Sequence, residues 1–165
     1  MHWSCTAGNG FGHGLPAAAD NQSRWPWAQP LLANSALVPD CAATELATGG
    51  YQDLLEVRGS SPLFGLATAD QVQKVVSFPL SGSGETPGVI TMKLTDIGPG
   101  RGLDARWRSI VVVFNASPTS QTQTIPGLRG ASVALHPALT EGGTFAPTTG
   151  TFTVAPRTVA VFVQS

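Results

Sequence analysis

The sequence predicts a mainly β protein, an antiparallel β-sandwich preceded by a short helical segment. Three observations carry this reading. Apolar-rich runs of about five residues recur from Leu63 onward, the length of ordinary strands. The turn clusters SGSGETPG, DIGPGRG, SPTS, PGLRG and EGGTFAPTTG separate them, and short strands spaced by Gly/Pro turns describe an antiparallel sandwich. Finally, helical spacing stops at one seam, Tyr51–Phe64 (YQDLLEVRGSSPLF). Tyr51, Leu54 and Leu55 share a helix face there, before Gly59, Ser60, Ser61 and Pro62 break the helix.

In chain order, residues 1–19 read as a Gly-rich loop without an apolar period. Asp20, Asn21 and Ser23 can cap a short helix that Pro26 and Pro30 keep from lengthening. Leu31, Leu32 and Leu37 add apolar surface. A second helix is expected over Ala42–Val57, with Leu46, Tyr51, Leu54 and Leu55 as its apolar residues. Gly49 and Gly50 each weaken it by about 1 kcal/mol relative to Ala.

Beyond the seam, strands are expected at Leu63–Ala67, Val75–Leu80, Gly88–Leu94, Ser109–Asn115, Gln121–Ile125, Ser132–His136, Gly150–Val154 and Thr158–Val163. Thr68–Lys74 suits one turn of helix, with Thr68 as cap and Asp70 in the first turn. Ser109–Asn115 places Ile110, Val112 and Phe114 on one face and Val111 and Val113 on the other, which marks a central strand buried on both sides. The last strand alternates Val159, Val161 and Val163 against Thr158, Ala160 and Phe162.

Composition narrows the function classes. Charged residues make up 12% of the 165 residues, against roughly 25% in an average soluble domain. The 19 glycines and 13 prolines punctuate apolar segments, so this is a turn-rich globular chain and not a disordered one. Ten acids and nine bases are scattered, with no basic cluster to neutralise a row of phosphates, so a nucleic-acid partner is not expected. No apolar run reaches the roughly 20 residues that span a bilayer, so no membrane partner is expected either. MHWSCTAGNGFGHG has neither the basic start and apolar core of a secretory signal nor the Arg/Ser-rich character of a transit peptide.

Few residues read as chemistry. His2, His13 and His136 have no metal-ligand spacing, and read as ordinary surface or loop histidines. No metal or cofactor is expected. Gly8, Gly10, Gly12 and Gly14 follow no strand and precede no Lys-Ser/Thr, so they do not form a phosphate loop. Ser4, Ser60 and Ser61 lie in no nucleophile elbow. Cys5 and Cys41 can pair, but two cysteines define no framework, and free thiols are the simpler reading. Trp107, in LDARWRS between Arg106 and Arg108, has two readings: an anchor for its loop on the sandwich, or a surface ring that stacks on a sugar.

Several motifs also occur in a telling order: Gly14-Leu15-Pro16 with Asp20-Asn21 and Trp25-Pro26, Pro30–Asn34 (PLLAN), Tyr51–Phe64, Pro87–Met92 (PGVITM), Ile110–Asn115 (IVVVFN) and Gly150–Val163 (GTFTVAPRTVAVFV). Together they resemble the C-terminal end of pullulanase-type α-1,6-glucosidases, including limit dextrinases, in glycoside hydrolase family 13 of the α-amylase superfamily. The resemblance implies that residues 1–61 are the last loop and helices of a truncated catalytic (β/α)₈ barrel, and that residues 62–165 are the β-sandwich after it.

The same resemblance sets the expected activity. Family members hydrolyse α-1,6 linkages of pullulan and branched α-glucans through two carboxylates, which lie on earlier barrel strands. A barrel takes about 250 residues, so this chain is expected to hold no catalytic residue and to be inert alone. The implied partner is the missing barrel, with α-glucan as the wider substrate. The Gly8–Pro16 loop would follow the eighth barrel strand, where Asn9 could hydrogen-bond a sugar hydroxyl and Phe11 could stack on a pyranose, in an intact barrel. His2 departs from the acidic or amide residue expected before Trp3, and Met1 falls inside the barrel. In a plant or alga the resemblance implies a plastid location, in a bacterium the cytoplasm or secretion.

Two other readings remain open: a free-standing sandwich binding α-glucan through Trp107, or a truncated product without stable function. The latter would expose Trp25, Trp27, Leu31, Leu32, Leu54 and Leu55.

Overall fold

The structure, a computed structural model, describes residues 18–34, 36, 40–96 and 102–165. The chain divides into two compact units, residues 1–54 and 55–165. Asn9, Phe11, the rest of the Gly8–Pro16 loop, Cys5, His2, His13, Leu37 and most of the DIGPGRG turn lie outside the described residues.

The first unit is helical where described. Helix α1 (Ala18–Asn21) runs into a 3₁₀ turn, Gln22–Arg24, and then α2 (Trp25–Leu32). The expected capping by Asn21 is not seen: its side chain makes no cap bond to the 3₁₀ turn. Pro26 sits in the first turn of α2, where a missing N–H costs nothing, and Pro30 falls late enough that α2 ends two residues beyond it.

Helix α3 (Cys41–Gly59) covers the expected Ala42–Val57 and extends it at both ends. Asp40 explains the earlier start, because its Oδ1 accepts the Ala43 N–H at 2.7 Å and so caps the helix. Leu46, Tyr51, Leu54 and Leu55 are exposed, whereas Val57 is buried. Cys41 is disulfide-bonded and not the free thiol expected.

In the second unit, Leu63–Ala67 is not a strand. Pro62–Phe64 forms a 3₁₀ turn whose N-cap, Ser61, accepts the Leu63 N–H at 3.1 Å. Helix α4 (Ala69–Val75) carries a full capping box between Thr68 and Gln71, which extends the expected turn and takes Val75 out of the following strand. Only Val76–Ser77 remains as β1, so the expected Val75–Leu80 strand is cut short.

The other strands fall close to expectation: β2 (Val89–Thr95), β3 (Ser109–Asn115), β4 (Gln121–Thr124), β5 (Val133–Leu135), β7 (Thr151–Val154) and β8 (Thr158–Gln164). Strand β6 (Gly143–Ala146) lies inside the sequence read as a turn. Its glycine hid it. A Cβ at Gly143 would stand 2.8 Å from the Thr153 carbonyl oxygen and 2.9 Å from the Phe162 ring, so close approach to the neighbouring backbone demands Gly here.

The strands make two antiparallel sheets, β1-β2-β3-β8-β5 and β4-β7-β6. As expected, β3 is central, with β2 and β8 in register on either side. One of its faces packs Val111 and Val113 with Ala160, Phe162, Phe152 and Val154. Its other face joins Ile110 and Val112 to Val161, Val163, Leu94 and Trp107, together with Val57, Leu63 and Val75. Burying each large side chain of this kind contributes about 1.5–3 kcal/mol, so the seam after α3 is part of the core and not a linker.

Candidate functional site

A polar cluster of the second unit lies at that seam. Ser60 and Ser61 end the helical segment, Asp104 lies in the loop between β2 and β3, and His136 follows β5. Asp104 is buried, and its Oδ1 accepts the N–H of Arg106 at 2.7 Å and of Trp107 at 3.3 Å. The Ser61 hydroxyl donates to its Oδ2. Burial raises the Asp104 pKa, but the Ser61 hydroxyl, the two N–H groups and the Arg106 guanidinium outweigh it, so the carboxyl titrates below its ordinary value.

His136 is 3% exposed, which corrects the expectation of an ordinary surface or loop histidine. The Ala138 N–H donates to its Nδ1 at 3.1 Å. Nδ1 is therefore the acceptor nitrogen and Nε2 carries the proton, donating toward Ser60 Oγ at 3.0 Å. The Ser60 hydroxyl in turn donates to the Val57 carbonyl. A ring held in this tautomer cannot take the serine proton, so the pair is a structural clasp and not a nucleophile with its base. Burial lowers the His136 pKa; Glu56 pulls it up and Arg106 pushes it down again.

Trp107 is 8% exposed and meets the His136 ring edge-on at 5.0 Å between centroids. The Arg106 guanidinium carbon lies 4.6 Å from the Trp107 ring centre. The ring is thus enclosed by core side chains, histidine and guanidinium. Among the described residues, no group of three or more His, Cys, Asp or Glu could hold a metal, and no helix is long and apolar enough to cross a membrane.

The cluster escaped sequence reasoning because its members are far apart in the chain. Asp104 two residues before Arg106 is the pattern of an Asx turn, which is a local signal. Nothing local marked Ser60 as the partner of His136.

Residues 6–165 match the family described as alpha-1,6-glucosidases, pullulanase-type, C-terminal. The chain belongs to this family. It is 33% identical over 168 residues to Pullulanase 1, chloroplastic, of Arabidopsis thaliana, a match that covers 95% of this chain and 17% of that protein. It is 34% identical over 115 residues to a pullulanase of Klebsiella pneumoniae, covering 69% of this chain and 10% of the relative. The crystal structure of PulA from Klebsiella oxytoca superposes with a TM-score of 0.70 at 31% identity, over 92% of this chain and 15% of that one.

The chain therefore spans less than a fifth of the pullulanases it matches. Within the pullulanase-type domain, the motifs PGVITM and IVVVFN contribute most of the neighbouring strands β2 and β3, and GTFTVAPRTVAVFV supplies β7 and β8. The antiparallel sheets that carry these motifs form the core.

Proposed function

We propose that this chain acts as the C-terminal structural domain of a longer debranching enzyme that hydrolyses α-1,6-glucosidic linkages, with the catalytic carboxylates upstream in a barrel. The observation that carries the reading is the match of residues 6–165 to the C-terminal region of pullulanases several times its length. In this reading residues 1–61 are the last loop and helices of the barrel, and 62–165 the sandwich. The exposed apolar side chains of α3, Leu46, Tyr51, Leu54 and Leu55, support it, because a helix of this kind needs a partner surface. Asn9 and Phe11 would face substrate only in the assembled barrel. The burial of Trp107 supports its role as an anchor over that of a glucan contact.

The test is an exchange. This chain replaces the matched C-terminal region of the Klebsiella pneumoniae pullulanase, and release of reducing ends from pullulan is measured. The chimera is expected to retain activity, while the 165-residue chain alone releases none. Hydrolysis by the chain alone would overturn the proposal, as would a chimera that folds but has lost all activity.

A further inference from the structure

Only one face of the five-stranded sheet lies inside the sandwich, yet β2, β3 and β8 carry apolar side chains on the other face too. Register sets that outer face out in rows: Leu94–Ile110–Val163, Met92–Val112–Val161 and Ile90–Phe114–Val159. Val57, Leu63, Val75 and Trp107 cluster with the first two rows, where Leu94, Ile110, Val112, Val161 and Val163 are buried. The third row is left open. Ile90 is 49% exposed and Phe114 38%, and with Pro87 and Ala116 they line a shallow hollow of about 450 Å³.

This row differs from the solvent face that the same molecule shows elsewhere. On the three-stranded sheet Gln123 and Phe152 face inward, the former accepting from Thr91 of the opposite sheet and the latter in the core. Alternation then turns Thr122, Thr153 and Thr144 outward in one row, and Thr124, Thr151 and Ala146 in the next. A sheet face open to water is polar, as that one is, whereas a strand apolar on both faces is covered on both. The Ile90 row therefore lacks a layer.

The covered rows indicate its source. Val57 and Leu63 belong to the stretch by which the chain enters the sandwich, so the layer on this face is supplied by what precedes the strands. We propose that the Ile90–Phe114–Val159 row is a docking surface for the catalytic barrel upstream in the same polypeptide, with an apolar side chain of the barrel seated in the hollow. The inference rests on the reading of this chain as the C-terminal domain of a longer debranching enzyme, and the chain spans less than a fifth of the pullulanases it matches. An apolar barrel surface continues the layer that the seam begins and takes Ile90 and Phe114 out of water.

The experiment places Ile90→Thr and Ile90→Lys both in the 165-residue chain and in its chimera with the Klebsiella pneumoniae pullulanase. In the chain alone both variants should melt as the parent does, because half of this side chain already lies in water. In the chimera Ile90→Lys should shorten the half-life of pullulan hydrolysis at a fixed elevated temperature about tenfold, and Ile90→Thr by less, because a docked face must bury the new polar group. An unchanged half-life in both chimeras would overturn the proposal, and so would a melting temperature that falls in the chain alone. In either case the parent chimera still hydrolyses pullulan, so the debranching reading survives. A folded parent chimera without activity overturns that reading and the docking surface with it. Light scattering of the chain alone tests the other occupant: a monomer is expected, and a dimer that Ile90→Lys dissociates would assign the row to a second copy.

Discussion

Ser60 Oγ and His136 Nε2 stand 3.0 Å apart and clasp the end of the helical segment to the loop after β5, across 76 positions of chain. The clasp is doubly tied, because the neighbouring Ser61 hydroxyl donates to Asp104. Two serines that read in the sequence only as helix breakers thus fasten the seam to the sandwich.

Removing the ring should therefore be costly. His136→Ala leaves the Ala138 N–H without its acceptor and Ser60 Oγ without its donor in a part-buried setting, while the Ser60 bond to the Val57 carbonyl remains, for an expected loss of about 2–3 kcal/mol. Ser60→Ala removes one bond and should lose about 1 kcal/mol. Urea denaturation of the two single variants and the double variant measures the coupling, expected at about 1 kcal/mol. Strict additivity would show that the clasp does not act as a pair.

Acid should weaken the fold in two steps. Burial keeps the folded His136 ring neutral below its ordinary value of 6.5, so the unfolded chain takes up that proton first. Stability from this group is full above pH 6.5 and falls as pH drops toward the ring's lower folded value. Asp104 is also depressed, so its contribution is full above 3.8 and is lost as pH falls through its folded value. Denaturant midpoints followed from about pH 8 to about pH 3 should show both losses. His136→Gln should remove the upper one and keep the lower. An upper step that survives the substitution would place the titration elsewhere.

Trp107 should behave as core. Trp107→Ala is expected to destabilise by about 3–5 kcal/mol, and Trp107→Phe by less. Calorimetric melting of both variants measures the loss. Chromatography on immobilised amylopectin should show no retention for the parent or for Trp107→Phe. Retention that the substitution abolishes would make the ring a glucan contact.

Gly150 is required by geometry. Its φ is +72°, and a Cβ there would stand 2.6 Å from the Ile125 carbonyl oxygen and 3.1 Å from the Arg129 amide nitrogen. Both neighbours are backbone and cannot swing aside. Gly150→Ala should lose more than about 1 kcal/mol, read from the denaturation midpoint, whereas Gly127→Ala meets no atom within 4 Å and should lose less.

Legibility in the sequence tracks how local each signal is. The alternation in Ser109–Asn115 and Thr158–Val163 placed two strands almost to the residue, the second running one residue further to Gln164, because both their faces are apolar or cleanly alternating. Leu63–Ala67 misled, since its apolar residues belong to a capped turn packed under the sheet. β6 was hidden because Gly143 reads as a turn residue until the backbone of β7 is seen beside it. The polar cluster was illegible for another reason: its partners lie 43 and 76 positions apart and meet only once the sandwich forms. By contrast, the family resemblance was legible at once, because it rests on several motifs in order and not on any one contact.

The most direct test of the central claim is the mass of the native polypeptide in its source cells, read with an antibody against residues 109–165. A band of about 100 kDa, on the order of a barrel with accessory domains, is the predicted result. A band at 17.0 kDa, the mass of this chain alone, would contradict it.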